Sequence, residues 1–249
     1  MNPIQLMYIN ETSMTKSEEK IMHYIIDNLE TVKDLPIIEL AELTETSRSV
    51  LLRFCQKIGF KGYSDFRYAL MQHIESPTPI HNIEKSVATI YSETLSRLDD
   101  TIDSDEIKKM ISFFNSSHKV KIFGYAETGL SAQHFSQRLL DIKYDAEAVV
   151  SINTFFGKID VSTEKDVLVF FSLSATTDVI KSAILYATKL GKRTVLITQN
   201  TLTNLREEVD CFITLPFHDY SGHEFTLDSQ LILLGFCGVF INEIVSSNR

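Results

Sequence analysis

Four hydroxyl side chains follow an apolar run in the second half of the chain. The run Val167–Phe171 predicts a buried strand, and a predicted helix begins a few residues later. The hydroxyl residues between them are Ser172, Ser174, Thr176 and Thr177. Together with the free N–H groups of a helix N-terminus, they suit a phosphate or the hydroxyls of a sugar. The same residue types also cap helices and fill turns, so this spacing leaves both interpretations open.

A second strand–loop–helix pattern lies at residues 122–129, where an apolar run ends at Gly124. A dinucleotide-binding G-x-G-x-x-G pattern starting there is excluded, because Ala126 replaces its second glycine. Ligands of doubly wound sheets bind at the carboxyl ends of strands, and anions favour helix N-termini. This loop is therefore a second candidate for ligand binding.

Residues for acid–base catalysis or metal binding are sparse. Glu127 is a candidate general base and His218 or His223 a candidate acid, as a sugar isomerase would need near C1 and C2 of its substrate. One loop carboxylate and two histidines in a polar segment are more typical of a solvated surface. The seven histidines show no HExxH spacing. We predict no catalytic residue, no metal and no cofactor.

The first part of the chain carries a basic helix face. Residues 47–73 contain five basic residues and one acid, although the chain has a net charge of −9. A helix starting after Ser47 places four apolar residues, Leu51, Phe54, Cys55 and Ile58, on its core side. Its other face presents Arg48, Ser49, Leu52, Arg53, Gln56 and Lys57.

These residue types suit DNA. Arginine bonds guanine O6 and N7, and glutamine reads adenine, whereas Lys57, Lys61 and the N–H groups near Ser47 suit phosphates. An ordinary solvated helix face is the competing interpretation.

Helical periodicity dominates up to about residue 76. Thr15 and Glu18 form a capping-box pattern, and a second short helix opens near Pro36. A third helix runs from Ser47 to about Ile58, where Gly59 stops it, and a fourth spans Tyr63–His73. A short helix joined by a tight turn to one with an apolar back is the helix-turn-helix arrangement.

Beyond a predicted linker at Pro77 and Pro79 and a connecting helix, helices alternate with apolar strands. The predicted strands are Val120–Phe123, Ala146–Val150, Val167–Phe171, Thr194–Thr198 and Cys211–Leu215. The predicted helices are Asp105–Asn115, Leu130–Asp141, Asp178–Leu190 and a closing Leu227–Val245. The fold prediction is two domains: all-α helix-turn-helix at 1–76, linker and connecting helix at 77–104, and an α/β doubly wound parallel sheet at 105–249.

Composition is that of a soluble globular protein, with 44% apolar and 23% charged residues among 249. Three widely spaced cysteines without CxxC exclude a disulfide scaffold and favour a reducing compartment. We see no secretory signal and no apolar run of about 18 residues. The expected location is the cytoplasm, with no membrane contact.

The segment RFCQKIGFKGYSDF, within residues 47–70, resembles the signature of the RpiR family of bacterial transcription regulators. The preceding residues are similar to the rest of that family's DNA-binding domain. The resemblance implies that Ser47–Lys57 is the recognition helix and that Lys61 lies in a turn beside the DNA backbone. The implied partner is a double-stranded DNA operator.

Residues 105–245 resemble the sugar isomerase (SIS) domain, the usual C-terminal partner of that DNA-binding domain. Thr128 takes the place of the serine in its first loop, and Ser172, Ser174 and Thr177 match its Ser-x-Ser-Gly-x-Thr motif. The resemblance implies a phosphosugar effector held by these hydroxyls.

Three positions depart from that pattern. Ala126 and Ala175 stand where glycine is usual, so a positive φ there would be strained, and Gln230 replaces a common arginine. No lysine or arginine lies in either loop, which predicts modest affinity.

We predict a DNA-binding regulator of sugar metabolism that senses a phosphosugar and is not an enzyme. The alternatives are an SIS-type phosphosugar isomerase with a helical extension, and a phosphosugar-binding module that regulates another protein. Apolar positions on the connecting helix (Ile83, Val87, Ile90, Leu98) and the closing helix (Leu231, Leu234, Phe240) predict a homodimer or homotetramer.

Overall fold

The computed structural model describes residues 3–11, 14–75, 86–217, 228 and 230–247. The chain divides into two compact units. The first contains the described residues up to 75, and the second those from 86 onward. The predicted linker around Pro77 and Pro79 lies outside the described residues, as does Ile83.

The described residues of the first unit form helices and turns. The predicted capping box is confirmed, because Glu18 N–H donates to the Thr15 hydroxyl while Thr15 N–H donates to the Glu18 carboxylate. Ser47 caps the predicted recognition helix by accepting from Val50 N–H, and Gly59 ends it with a φ of +99°. The helices are α1 (Pro3–Asn10), α2 (Lys16–Asp27), α3 (Leu29–Val32), α4 (Ile37–Leu43), α5 (Arg48–Lys57) and α6 (Tyr63–Glu75).

Helix α1 was not predicted, because its sequence carries neither a cap nor an amphipathic stripe. Leu6 and Met7 are nonetheless fully buried, and α1 packs against α6. Burial of apolar side chains therefore stabilises a helix that local signals do not mark.

The second unit contains a five-stranded sheet in which every pairing is parallel. The strand order is β2-β1-β3-β4-β5. All residues of β1 and β3 are buried, as expected for central strands covered on both faces. The strands are β1 (Val120–Gly124), β2 (Ala146–Val149), β3 (Val167–Phe171), β4 (Arg193–Thr198) and β5 (Cys211–Thr214).

Helices cover both faces of this sheet, so the predicted doubly wound fold is confirmed. The helices are α7 (Val87–Ser96), α8 (Leu98–Thr101), α9 (Ser104–Asn115), α10 (Glu127–Asp141), α11 (Phe155–Asp160), α12 (Asp178–Lys189) and α13 (Gln230–Ser247). Alternate residues of β3 face opposite sides of the sheet: Phe171 packs with α9, α10 and α13, whereas Phe170 packs with α11 and α12.

Two features of the second unit differ from expectation. Helix α11, which no periodicity marked, lies in the connection from β2 to β3, two parallel strands on either side of β1. Ile90, Leu98 and Phe240, which we expected on an exposed apolar surface, are buried, because α7 packs on α13 and Phe240 packs against Phe114 and Phe135. Val87, Leu231 and Leu234 are partly exposed.

Helix α13 is long and apolar enough to cross a membrane by length and composition. Seven of its side chains are nevertheless buried in the core of the second unit: Ile232, Leu233, Phe236, Cys237, Phe240, Ile241 and Ile244. We therefore interpret it as a core helix.

Candidate functional site

The predicted DNA-contacting residues lie on an exposed helix face in the first unit. Leu51, Phe54 and Cys55 of α5 are fully buried, which turns the opposite side outward. That side, here called the recognition face, consists of the exposed residues Arg48, Ser49, Leu52, Arg53 and Gln56. Ser47 and Lys61, at its two ends, are exposed as well.

The turn between α4 and α5 sets the angle at which the recognition face is presented. The buried Thr44 hydroxyl donates to Leu40 O at 2.7 Å, and Thr46 N–H donates to Ala41 O at 2.8 Å. Glu45, between them, has a φ of +50°. These bonds close a tight helix–turn–helix corner.

Lys57 has a partner within the unit, which the sequence did not indicate. Its Nζ lies 2.8 Å from Glu18 Oε2, and both side chains are largely buried. Burial raises the pKa of the Glu18 carboxyl, but hydrogen bonds from Lys57 and Thr15 outweigh burial and hold that pKa below its ordinary value. The ammonium that we expected to meet phosphates therefore has an ion-pair partner within the unit.

The loop after α5 places Lys61. Its backbone N–H donates to Asp65 Oδ2 at 2.9 Å, and Lys61 itself is exposed. The Tyr63 hydroxyl donates to Leu35 O at 2.8 Å and ties the start of α6 to the rest of the unit.

The second candidate site lies at the carboxyl edge of the sheet. Strands β1 and β3 pair with Gly124 opposite Phe171, so the loops that follow them leave the sheet side by side. The connection after β1 leads outward to β2, whereas β3 continues in the other direction to β4. The two loops therefore flank the topological switch point, where doubly wound proteins bind ligands.

Gly124 is required by the close approach of α10 to β1. A Cβ at this position would lie 2.4 Å from Thr128 O. The Thr128 hydroxyl donates to Tyr125 O at 2.9 Å and accepts from Tyr125 N–H at 3.0 Å. It therefore holds its own turn closed.

The hydroxyls of the second loop also bond within the loop. Ser172 Oγ accepts from Ala175 N–H, and Ser174 Oγ accepts from both the N–H and the hydroxyl of Thr176. Thr177 is the N-cap residue of α12, but its side chain makes no capping hydrogen bond. Both serines act here as turn-forming acceptors, and both residues are buried.

Both alanines that replace the usual glycines have positive φ. Ala126 has a φ of +52° and Ala175 a φ of +53°, in the region that L side chains rarely adopt. The chain thus keeps the backbone conformation of a glycine at each loop.

Three buried polar residues at the carboxyl end of β4, which only loosely resemble the next SIS loop, were not among the predicted site residues: Thr198, Gln199 and Asn200. Asn200 Nδ2 donates to Ser174 O at 2.8 Å, and the Thr198 hydroxyl donates to Leu173 O at 2.9 Å. These bonds brace the second loop. Three consecutive polar residues at the end of an apolar strand are the sequence pattern that could have indicated them.

The remaining candidates do not add a cation or a metal site. Gln230 Oε1 accepts from the Ser131 hydroxyl at 2.7 Å, and Glu127 is exposed. His218 and His223 lie outside the described residues. Within the described ranges, no cluster of His, Cys, Asp and Glu is arranged to hold a metal ion.

Two family models match the chain. Residues 1–77 match the helix-turn-helix domain of the rpiR family, and residues 113–234 match the SIS domain. An HTH-type transcriptional regulator of Haemophilus influenzae is 24% identical over 229 residues, 84% of this chain and 77% of that protein. The regulator YfhH of Escherichia coli is 25% identical over 81% of this chain and 77% of its own.

Solved structures share the fold. The NanR protein of Vibrio vulnificus complexed with ManNAc-6P has a TM-score of 0.62 at 21% identity, covering 99% of this chain and 92% of that one. The sugar isomerase domain of an RpiR transcription factor from Sphaerobacter thermophilus has a TM-score of 0.58 at 14% identity, covering 69% of this chain and 92% of its own.

The exposed recognition face and the doubly wound domain define a helix-turn-helix transcription regulator with a SIS domain. Residues 1–77 match the rpiR-family helix-turn-helix domain, and HTH-type transcriptional regulators are similar to this chain over more than four fifths of its length.

Proposed function

We propose that the second unit binds a phosphosugar between the β1 and β3 loops, and that this binding changes DNA binding by the first unit. One observation carries the proposal. Helices α10 and α12 both begin at the switch point without a side-chain cap. Uncapped N–H groups at adjacent helix N-termini attract an anion.

The proposed ligand residues are Thr128, Ser172, Ser174, Thr176 and Thr177. The Thr177 hydroxyl supplies a donor beside the α12 N-terminus. Since neither loop carries a lysine or arginine, affinity should be modest. A fold relative supports this ligand class, because NanR of Vibrio vulnificus was solved in complex with ManNAc-6P.

The proposed partner of the recognition face is a double-stranded DNA operator. The proposed contacts are Ser47, Arg48, Ser49, Leu52, Arg53, Gln56 and Lys61. We assign Lys57 to positioning the helix, because Glu18 neutralises its charge. Residues 1–76 would form the DNA-binding domain, 77–104 the connection and 105–249 the effector domain. Such a regulator would work in the cytoplasm.

Control of DNA binding in this way requires two DNA-binding units, one from each of two chains, whose separation changes when the ligand binds. We propose a homodimer or homotetramer in which the phosphosugar favours one arrangement. Half-sites about 34–36 Å apart, or a multiple of that distance, make binding sensitive to small rotations. Light scattering at micromolar concentration should show at least a dimer, and a monomer with intact DNA binding would contradict the proposal.

A thermal-shift screen of phosphosugars, with ManNAc-6P among them, tests the ligand directly. A hit should raise the unfolding temperature and change operator affinity in a mobility-shift assay. The corresponding sugars without phosphate are the matched controls and should have no effect. An isomerase remains the alternative function. Conversion of a phosphosugar at a rate that Glu127→Gln removes would establish it.

A further inference from the structure

Leu52 is an exposed apolar residue on an otherwise polar helix face. Its relative exposure is 40%, whereas its neighbours Leu51 and Phe54 are fully buried. Arg48, Leu52 and Gln56 are spaced four residues apart, so they form one line along α5. An apolar group thus stands between two side chains whose chemistry suits base edges.

The loop after α5 lies beside Leu52. A Cβ at Gly62 would lie 3.5 Å from Leu52 Cδ1, an ordinary van der Waals distance, so the leucine is next to this loop. The loop therefore supports one side of Leu52, while 40% of the residue stays exposed. A supported side chain loses little rotamer freedom when it meets a partner.

We propose that Leu52 is a specificity-determining residue that contacts the 5-methyl group of a thymine in the major groove. The inference rests on the proposed DNA-binding function of the recognition face. Among the groups that base pairs display in that groove, the thymine methyl is the apolar one, and the others are hydrogen-bond donors and acceptors. A leucine between Arg48 and Gln56 offers no hydrogen bond, so it matches a methyl and not a polar base edge.

The test uses a duplex that the full-length protein selects from a randomised library. Each thymine in it is then replaced by deoxyuridine, which removes one methyl and leaves hydrogen bonding unchanged. Wild-type protein should lose about fourfold in affinity at one or more positions, the effect of one buried methyl group. Leu52→Ala should bind the thymine duplex about fourfold more weakly and lose nothing further on uracil substitution.

Two controls make the result specific. Leu43→Ala removes another exposed leucine, from α4 and outside the recognition face, and should retain the full uracil effect. Leu52→Met keeps an apolar side chain and should retain most of the uracil effect. This variant shows whether Leu52→Ala loses the effect through the missing methyl contact or through misfolding.

Failure of the thymine contact and failure of DNA binding give different results in this experiment. Equal uracil losses for wild type and Leu52→Ala, or no loss at any thymine, overturn the thymine contact and leave DNA binding intact. Failure to select any sequence overturns the DNA-binding proposal and the Leu52 inference together.

Discussion

The ammonium of Lys57 lies 2.8 Å from Glu18 Oε2, joining the last residue of the recognition helix to the first turn of α2. The same oxygen accepts from the N–H and the hydroxyl of Thr15, so one largely buried carboxylate serves three donors. A cation on the predicted DNA face thereby anchors the helix that carries that face.

Replacing Lys57 by methionine should destabilise the first unit. Glu18 would keep a largely buried charge with one hydrogen bond fewer, at a cost of about 1–3 kcal/mol. Hydrogen exchange of the α2 and α5 amides in the full-length protein measures this as faster opening. Lys20→Met, which removes the exposed pair with Glu45, is the control and should leave exchange unchanged.

The same pair predicts a pH dependence. Because the pKa of Glu18 is held below its ordinary value of 4.5, its stabilising effect is complete above that value and is lost as pH falls through the lower, folded pKa. Protection of the α2 and α5 amides should therefore weaken below about pH 4.5. Glu18→Gln keeps the capping geometry but not the charge, so its amide protection should not depend on pH in this range. If protection in this variant still weakened below about pH 4.5 as in the wild type, Glu18 would not be the titrating group.

Arg53→Ala should weaken operator binding by about 1–3 kcal/mol and relax base preference at one position, because arginine reads guanine in a bidentate manner. Mobility shifts at fixed salt with single-base operator variants provide the measurement. Equal discrimination by both proteins would remove Arg53 from the base-reading residues.

Lys61→Ala should behave differently, because a phosphate contact carries no sequence information. We expect weaker binding to all duplexes alike and a salt dependence whose slope falls by about 0.9. A titration across salt concentrations distinguishes this result from that of Arg53→Ala.

Ala126→Gly should stabilise the second unit by about 1 kcal/mol, because the exposed methyl group loses no packing while the strain at φ +52° is relieved. Thermal unfolding measures the gain. Ala88→Gly, at an exposed position of α7, is the matched control and should be destabilising.

Ala175→Gly should strengthen phosphosugar binding by freeing the backbone of the loop. Because Ala175 is buried, the same change also removes packing, so we expect a smaller gain in stability than for Ala126→Gly.

Ser174→Ala with Thr177→Ala should abolish the response to phosphosugar and leave operator binding untouched. Thr177→Ala is the cleaner single variant, because its hydroxyl makes no capping bond whose loss would loosen α12. Ser174→Ala alone also removes the acceptor of Thr176 N–H and should lower stability. A full sugar response in the double variant would place the ligand elsewhere.

The sequence by itself determined the sheet strands, most of the long helices and the exposed face of α5. A 3.6-residue period places Leu51, Phe54 and Cys55 on one side of α5, so the opposite residues must face solvent. Continuous apolar strands between helices predicted a buried parallel sheet, and Ser47 and Thr15 marked helix starts through bonds that span only three residues. Helices α1 and α11 escaped because packing, not local pattern, stabilises them.

Only the tertiary structure decided which distant residues meet. Lys57 and Glu18 are 39 residues apart, and no local pattern distinguishes a paired lysine from a free one. The pairing of Gly124 with Phe171 brings the two ligand loops together, and strand order does not follow from strand sequences that are uniformly apolar. The positive φ of Ala126 and Ala175 is likewise imposed by the surrounding fold, since local preference alone would avoid it.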